Sequence, residues 1–261
     1  MLHIASFSGL RHKALMMETS ALFIAAVFVL AGLTKGVIGL GLPTISMGLL
    51  ALVMPPVQAA ALLALPSFVT NFWQMAAGPS FKAVVWRLWP MMVGVCLGTW
   101  AGMGLMTGAS ARYGTALLGI ALAFYAVTGL AAFRFSIAPS REAWAGPLIG
   151  ALTGVITAAT GVFVIPAVPY LQAIGLEKED LIQALGLSFT VSTAALAVNL
   201  AADNALNFGL ATPALGALAM AAIGMWLGQV LRMRMSPATF RRWFFIGLLL
   251  LGIYLALRAF A

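Results

Sequence analysis

The sequence predicts an all-α integral membrane protein, a polytopic helical bundle of about 8–10 membrane segments. The chain is 63% hydrophobic and only 8% charged, and its mean hydropathy is +1.06. This composition excludes a soluble globular domain, and the continuous apolar runs argue against the alternating strands of a membrane β-barrel. The net charge of +8 lies mostly in the connections between spans, where the positive-inside rule explains it without nucleic-acid binding.

Six apolar segments are suited to a single crossing of a hydrocarbon core of about 30 Å. They are residues 57–77, 88–107, 113–133, 181–202, 210–231 and 243–259. Two further stretches, 21–55 and 144–174, would reach roughly 50 and 45 Å as unbroken helices, which is too long. Each contains a Gly/Thr/Pro-rich break, at 39–43 and at 157–161. We therefore expect each stretch to be a span followed by a shorter segment that turns back or only partly crosses.

The two broken stretches also resemble each other in sequence. The letters LTKGVI at 33–38 match LTGVI at 152–156 with one residue missing, and the missing residue is Lys35. Polar residues in the following helices keep one spacing in both halves, pairing Gln58 with Gln183, Ser67 with Ser192 and Gln74 with Asn199. These matches predict two repeated modules, which divide the chain into a tail (1–20), a first repeat (21–133), a basic linker (134–143) and a second repeat (144–261).

The charges of the connections predict that the two repeats are inverted. The connection after 57–77 contains Lys82 and Arg87, whereas its counterpart after 181–202 contains Asp203. Because basic connections face the cytoplasm, five segments per half in opposite orientation place one set of cations together on that side: Lys82, Arg87, Arg134, Arg141, Lys178, Arg232, Arg234, Arg241 and Arg242. If each broken stretch crosses only once, the basic residues divide almost evenly between the two sides.

Lys35 is the charge that lies well inside an apolar segment, residues 21–38. A charge at this depth is costly and normally faces a cavity or a partner. No Asp or Glu lies in the neighbouring apolar segments, so the sequence provides the ammonium group with no internal counter-ion. The pattern predicts an anion site, and the alternative is a lysine that snorkels to the membrane interface.

The break beside Lys35 strengthens this prediction. A helix that restarts inside the membrane presents free N–H groups and the positive end of its dipole, both of which attract anions. Gly39 and Gly41 allow the backbone to approach a ligand, and Pro43 suits the first turn of the restarted helix. The equivalent donors of the second half are predicted to be Thr157, Thr160 as the N-cap, and Gly161. The alternative role of the glycines is close helix packing.

Polar side chains on the next helix of each half complete the predicted site. Ser67, Asn71 and Gln74 are spaced i, i+4 and i+7 and share one helix face, and Ser188, Ser192 and Asn199 form a matching stripe. Hydroxyls and amides can donate to an oxyanion without adding negative charge, although they also join helices to one another. The predicted substrate-binding residues are Lys35, Gly39, Gly41, Ser67, Asn71, Gln74, Thr157, Thr160, Gly161, Ser192 and Asn199.

No catalytic residues, metal site or cofactor are predicted. Both histidines lie in the tail and the single Cys96 lies in an apolar run, so neither a metal cluster nor a disulfide framework can be built. A Ser-Lys dyad of Lys35 with Ser46 is conceivable, because a desolvated lysine can act as a base. The expected partners are a small anionic substrate, the lipid bilayer and a possible second copy in a homo-oligomer, but not nucleic acid.

The run KGVIGLGLP at 35–43, its partial repeat at 154–156 and the two-module layout resemble the sulfite exporter TauE/SafE family, also called toluene sulfonate uptake permeases. The resemblance covers nearly the whole chain from about Ala21 onward. It implies a bacterial inner-membrane permease or exporter of sulfur-containing organic and inorganic anions, including sulfite and sulfonates. Family members often have denser glycine runs than the two found here, which retain Gly39 and Gly41, and Gly154 and Gly161.

We therefore expect a secondary transporter of a small sulfur-containing or organic anion that works by alternating access. The other hypotheses are a non-transporting membrane assembly or scaffold protein, in which the polar stripes only hold helices together, and an intramembrane Ser-Lys enzyme. The specific anion, the direction of transport and the coupling ion stay open.

Overall fold

A computed structural model describes residues 2–131, 136–206 and 208–259, with side chains from Thr19 onward except at positions 112 and 208. Within these residues the chain forms ten α-helices and two short 3₁₀ segments, and no β-strand. The helices are α1 (Leu2–Ile38), α2 (Leu42–Leu50), α3 (Pro56–Ala76), α4 (Phe81–Ala101), α5 (Gly114–Ala131), α6 (Pro139–Thr160), α7 (Ala167–Ala173), α8 (Lys178–Ala202), α9 (Ala211–Arg232) and α10 (Pro237–Arg258). The all-α prediction is confirmed.

Seven of the described helices are long and apolar enough to cross a membrane, judged by length and composition. They are α1 from Thr19 to Ile38, α4, α5, α6, α8, α9 and α10. Helix α3 has the same length as α4, 21 residues, but it carries the polar stripe of Ser67, Asn71 and Gln74. The chain is therefore built as a multi-pass membrane protein, and two residues of the α3 stripe, Ser67 and Asn71, are buried inside the bundle.

Some predicted boundaries are wrong for local reasons. Helix α4 begins at Phe81 rather than at residue 88, and it ends before the turns that contain Gly102 and Gly104, the latter with φ +79°. The second break lies at 161–166 rather than at 157–161, because Thr157 and Thr160 continue α6. Helix α1 begins at Leu2, and the part of it that is apolar enough to cross a membrane is Thr19–Ile38.

The long helices pack in pairs that connect the two halves of the chain. Helix α1 packs against α9 and α6 packs against α4, while α3 packs against α8 and α5 against α10. Helices α1 and α9 run in the same direction, since Gly32 lies against Ala221 and Gly36 lies against Met225. Helices α4 and α6 also run in the same direction, with Gly98 against Ala151 and Gly102 against Ala158.

Glycines make both parallel pairs possible. A Cβ added to Gly36 would lie 2.3 Å from the carbonyl oxygen of Met225, and one added to Gly154 would lie 2.3 Å from that of Val95. The same overlap with partner backbone would occur at Gly32, Gly224 and Gly228 in the first pair and at Gly94, Gly98 and Gly150 in the second. These glycines therefore allow the close helix contacts that small residues provide in membrane bundles.

The two ends of the bundle differ in their contacts. At one end, which we call the basic end, the C-termini of α3, α7 and α9 and the N-termini of α8 and α10 surround a single cavity. Arg87 forms a bidentate ion pair with Glu142 at this end, with a shortest N–O distance of 2.7 Å. At the opposite end the hydroxyl of Thr107 donates to the carboxylate of Asp203.

Most cations that the sequence places on one side are found near this cavity. Lys178, Arg232, Arg241 and Arg242 line it. Arg87 donates to the carbonyl oxygen of Ile174 at 2.7 Å, directly after the short helix α7. Arg134, which belongs to the same predicted set, lies outside the described residues.

Candidate functional site

The ammonium group of Lys35 is buried inside the bundle, three residues before the end of α1. The side chain is only 5% exposed, and its Nζ donates to Thr70 Oγ1 at 3.2 Å and to Asn71 Oδ1. Both acceptors are neutral. Among the described residues, the ammonium group has no carboxylate partner and its third N–H has no acceptor. The positive charge is therefore held in place by α3 but not neutralised.

A chain of hydrogen bonds continues from this lysine across α3 to α8. Asn71 Nδ2 donates to Ser67 Oγ at 2.9 Å, and the hydroxyl oxygens of Ser67 and Thr193 are 3.2 Å apart. Thr193 gives its own proton to the carbonyl oxygen of Phe189 at 2.7 Å, so Ser67 is the donor in its bond with Thr193. This order of donors fixes the Asn71 amide with its oxygen toward the lysine.

Lys35 lies on the wall of the cavity that is open at the basic end. The cavity has a volume of about 1720 Å³, far more than a few water molecules require. Aromatic and apolar residues also line the cavity, among them Trp73, Phe124, Tyr125, Ile165, Pro166 and Phe245. A side chain buried at 5% exposure yet facing such a space is accessible to a ligand from one end, and this position differs from that of a lysine that snorkels to the interface.

The first break lies directly beside Lys35 and opens into the cavity. Gly39 and Gly41 adopt positive φ values of +75° and +108°, which only glycine reaches without strain. A Cβ at Gly39 would meet no atom within 4 Å, whereas one at Gly41 would lie 2.5 Å from Thr34 Cγ2. The N–H of Gly39 donates to the carbonyl oxygen of Lys35 at 2.8 Å, so it closes α1 instead of facing a ligand.

The restarted helix α2 has the predicted proline in its first turn. Gly41 is its N-cap residue and Pro43 follows within the first two positions, where a missing N–H costs nothing. The helix end receives no side-chain cap, because its N-cap residue is a glycine, and Thr44 Oγ1 donates to the carbonyl oxygen of Gly41 at 3.1 Å. The N-terminus of α2 thus follows the glycine turn that lines the cavity next to Lys35.

The second break is built differently, and the prediction of Thr160 as an N-cap is wrong. Thr160 is the last residue of α6 and not an N-cap, since its hydroxyl donates to Ile156 O at 2.7 Å and accepts from Val162 N. The hydroxyl of Thr157 donates to its own helix, to Thr153 O at 2.7 Å. Neither residue lines the cavity. Both hydroxyls are used by local backbone groups, which is the common fate of threonine near a helix end.

Gly161 lies in a packed environment rather than beside open space. It is the C-cap of α6 with φ +72°, and a Cβ at this position would lie 2.7 Å from Met47 Cε. Val162, Phe163 and Val164 follow it with exposures of 0%, 1% and 0%. The second break therefore reaches the cavity wall only at its end, through Ile165 and Pro166.

The predicted stripes of α3 and α8 separate into two groups. Gln74 lines the cavity and donates to the carbonyl oxygen of Ile182 at 3.0 Å, so it joins Ser67 and Asn71 on the inner face of α3. Asn199 donates instead to the carbonyl oxygen of Thr99 in α4. Leu185 is the last α8 residue on the cavity wall, and Asn199 lies about 21 Å farther along the helix axis. Asn199 therefore joins two helices away from the cavity.

Ser188 and Ser192 are buried, and their hydroxyl oxygens have no partner among the described residues. The structure does not place them on the cavity wall. The hydroxyl of Ser46 in α2 is likewise buried without a described partner. Since Lys35 donates to Thr70 and Asn71 and not to Ser46, the Ser-Lys dyad considered from the sequence is not formed. No group of metal-ligating side chains occurs among the residues that the structure describes.

Sequence reasoning missed Thr70 and Thr193. Thr70 accepts a hydrogen bond from Lys35 and donates to Pro66 O at 2.8 Å, so it holds the ammonium group together with Asn71. Its position three residues after Ser67 on the same helix face was a usable signal. Thr193 could not be found this way, because its importance depends on the contact between α3 and α8.

Comparison with known proteins gives one family. A family model described as "Sulfite exporter TauE/SafE" matches residues 24–255, which is almost the entire described bundle. No curated protein and no solved structure matches the chain.

Proposed function

The chain belongs to the sulfite exporter TauE/SafE family of membrane transporters, and from this premise we propose that it carries a small sulfur-containing or organic anion, such as sulfite or a sulfonate, across the bacterial inner membrane by alternating access. The observation that carries this proposal is a buried ammonium group, at 5% exposure, that contacts only neutral oxygens and lines a cavity. An anion in the cavity would supply the missing negative charge. Lys35 is the proposed charge partner, held in position by Thr70 and Asn71.

The surroundings of Lys35 favour a ligand that is delivered and released rather than permanently bound. The ammonium group has two protein acceptors and retains a third N–H. A fully paired lysine would gain little from an anion, whereas an exposed one would bind it weakly in water. Lys35 is buried, only partly paired and beside an open cavity, so its affinity for an anion should lie between these two cases. A transport site requires such an intermediate affinity.

The distribution of basic residues supports one orientation of the protein in the membrane. Lys82, Arg87, Lys178 and the arginines of 232–242 lie at the basic end, and the positive-inside rule assigns such an end to the cytoplasm. The cavity would then open to the cytoplasm in this conformation. Each half contains, in order, one long helix, one short helix and three long helices. This shared order supports the inverted arrangement of two repeats.

Two features support alternating access. Both halves contain a long helix followed by a break and a short helix, a design that recurs at the substrate sites of secondary transporters. In the second break Val162, Phe163 and Val164 are buried, and only its last residues, Ile165 and Pro166, lie on the cavity wall. In the proposed cycle these two breaks exchange their accessibility.

Removal of the charge tests the proposal directly. The protein is purified, reconstituted into vesicles, and assayed for flux of sulfite, thiosulfate, sulfonates and carboxylates. Lys35→Met keeps the length of the side chain, and we expect it to reduce flux about 100-fold or more while the melting temperature is retained. Lys82→Met, which removes an exposed cation at the start of α4, is the matched control and should transport normally.

Two outcomes would contradict the proposal. Wild-type flux by Lys35→Met would show that this lysine is not the anion partner. A scaffold protein would show no flux by the wild type with any of the anions, and the lysine variant would alter only stability or partner binding.

The orientation has its own test. In a Cys96→Ala background, Lys82→Cys and Arg234→Cys should react with an impermeant maleimide only from the cytoplasmic face, because both lie at the basic end. Ala109→Cys, in the connection after α4 at the opposite end, should react only from outside. Reaction of Lys82→Cys and Arg234→Cys from different faces would contradict the proposed topology.

A further inference from the structure

The mouth of the cavity contains a group of cations that the Lys35 site does not require. Among the described residues, the cationic side chains on the cavity wall are Lys35 and, near the mouth, Lys178, Arg232, Arg241 and Arg242. Glu179 is the one carboxylate that lines it. The cavity therefore has a formal excess of four positive charges, of which three remain when Lys35 is set aside.

These cations are not neutralised within the described structure. The ion pair found there joins Arg87 to Glu142, neither of which lines the cavity. The guanidinium carbon of Arg241 lies 5.5 Å above the ring of Phe245, and this ring packs edge-on against Tyr125 at 5.2 Å. A cation–π contact orients the guanidinium group and leaves its charge unpaired. Arg241 is thereby held on the wall with N–H groups free for an oxyanion.

We infer that Lys178, Arg232, Arg241 and Arg242 form a second anion station at the mouth of the cavity, which captures oxyanions such as sulfonates, sulfite or carboxylates before they reach Lys35. This inference rests on the proposed transport function. The capture station raises the local concentration of the anion, which then binds at Lys35, farther inside the cavity, and is transported. Glu179 opposes capture by adding a negative charge among the four cations.

The physical basis of capture is electrostatic focusing. A cleft of one charge sign with low-dielectric walls raises the local concentration of the opposite ion and its association rate. Guanidinium groups also match the paired oxygens of sulfonates and carboxylates. The cavity wall also contains buried apolar groups such as Ile165 and Phe245, which weaken the screening of nearby charges by water.

Membrane orientation alone does not explain this arrangement. The positive-inside rule counts every basic residue in a short connection equally. Arg232 and Arg234 are two residues apart, and both are exposed. Only Arg232 lines the cavity. Arg234 is therefore a matched control that has the same charge in the same connection but does not belong to the station.

The test measures initial uptake against substrate concentration for reconstituted full-length protein in phosphatidylcholine vesicles. The substrate is the anion with the highest flux in the panel above. Arg232→Gln and Arg241→Gln should each raise KM about three- to tenfold at low salt with kcat unchanged. Glu179→Gln should shift KM in the opposite direction, and Arg234→Gln should behave as the wild type. Arg241→Lys keeps the positive charge, so its KM should stay close to that of the wild type.

Added salt provides an independent readout, because surface charges act over a Debye length of about 8 Å at 0.15 M salt. The KM differences among these variants should shrink as the salt concentration rises, while the loss of flux in Lys35→Met should persist. A purely structural role of the arginines would change the melting temperature or kcat and would not reverse sign at Glu179.

Four results would overturn the capture station. Equal KM values for Arg232→Gln and Arg234→Gln would mean that the four cations only orient the protein in the membrane. Effects that appear only in vesicles with anionic lipid would assign the arginines to lipid phosphate. If the wild type carries anions and depends on Lys35, the transport proposal holds. If KM is at the same time unchanged in every mouth variant, the capture inference is wrong. If the wild type carries no anion at all, both proposals fail.

Discussion

The two breaks of the chain occupy similar places in the order of helices but have opposite environments. Each follows a long helix, α1 or α6, that packs in parallel against a helix of the other half. At the first break, a Cβ on Gly39 would meet nothing within 4 Å, and Lys35 lies one turn away. At the second, Gly161 packs on Met47, and the next three residues are fully enclosed. Similar helix packing thus coexists with a first break that is open beside Lys35 and a second break that is buried except at its end, where Pro166 lies on the cavity wall.

This difference separates the helix packing that both halves share from the buried charge that only the first half has. The glycine contacts of α1 with α9 and of α4 with α6 are close in both halves. The charge is present in one half alone, because the second half lacks a residue where Lys35 stands in the first.

The largest expected effect tests the shared packing. Gly36→Ala and Gly154→Ala each place a methyl group about 2.3 Å from a backbone oxygen of the partner helix, so each should cost about 3 kcal/mol or prevent folding. The measurement is the melting temperature and monodisperse yield in detergent. Gly247→Ala, on an exposed helix position with no atom within 4 Å of the added Cβ, should be neutral or about 1 kcal/mol more stable. Tolerance of Gly154→Ala alone would mean that the two halves are not packed alike.

The next effect separates the two buried asparagines. Asn71 accepts from Lys35 and donates to Ser67, whereas Asn199 donates to Thr99 O. Either change to alanine removes buried hydrogen bonds and should cost about 1–3 kcal/mol. Only Asn71→Ala should also reduce flux, by roughly 10- to 100-fold, because it removes a partner of the charged group. Flux per folded molecule and melting temperature are both measured.

Asn199→Ala is the control for this pair, since it lies on the equivalent helix and away from the cavity. Its flux per folded molecule should match that of the wild type. Similar flux losses in both variants would show that the hydrogen bonds act through stability and not through the position of Lys35.

The sequence allowed the charge and the first break to be predicted, because both depend on local signals. A lone lysine in an apolar run, followed by glycines and a proline, indicates a buried cation at a helix break whatever its neighbours are. The face shared by Ser67 and Asn71 also follows from helical periodicity, and their side chains are hydrogen-bonded to each other.

The remaining site residues depend on neighbours that periodicity does not identify. Asn199 has the predicted register, but the helix beside it is α4, so its amide bonds to Thr99 O. Thr160 has the composition of an N-cap, yet α6 continues through it and its hydroxyl returns to Ile156 O. A hydrophobic pattern also contains no information on which end of a cavity is open.

The smallest expected effect compares the two breaks themselves. Gly39→Ala and Gly161→Ala both force alanine into a left-handed conformation, with φ +75° and +72°, at a cost of about 1 kcal/mol. Gly161→Ala must in addition displace the end of Met47, which is fully buried, so it should be destabilised by about 1 kcal/mol more. The difference is measured by thermal unfolding with and without a saturating anion. Because an anion held at Lys35 would fill the space beside Gly39, it should stabilise the wild type and Gly161→Ala to the same degree but Gly39→Ala less. Equal stabilisation of all three would place the anion away from the first break.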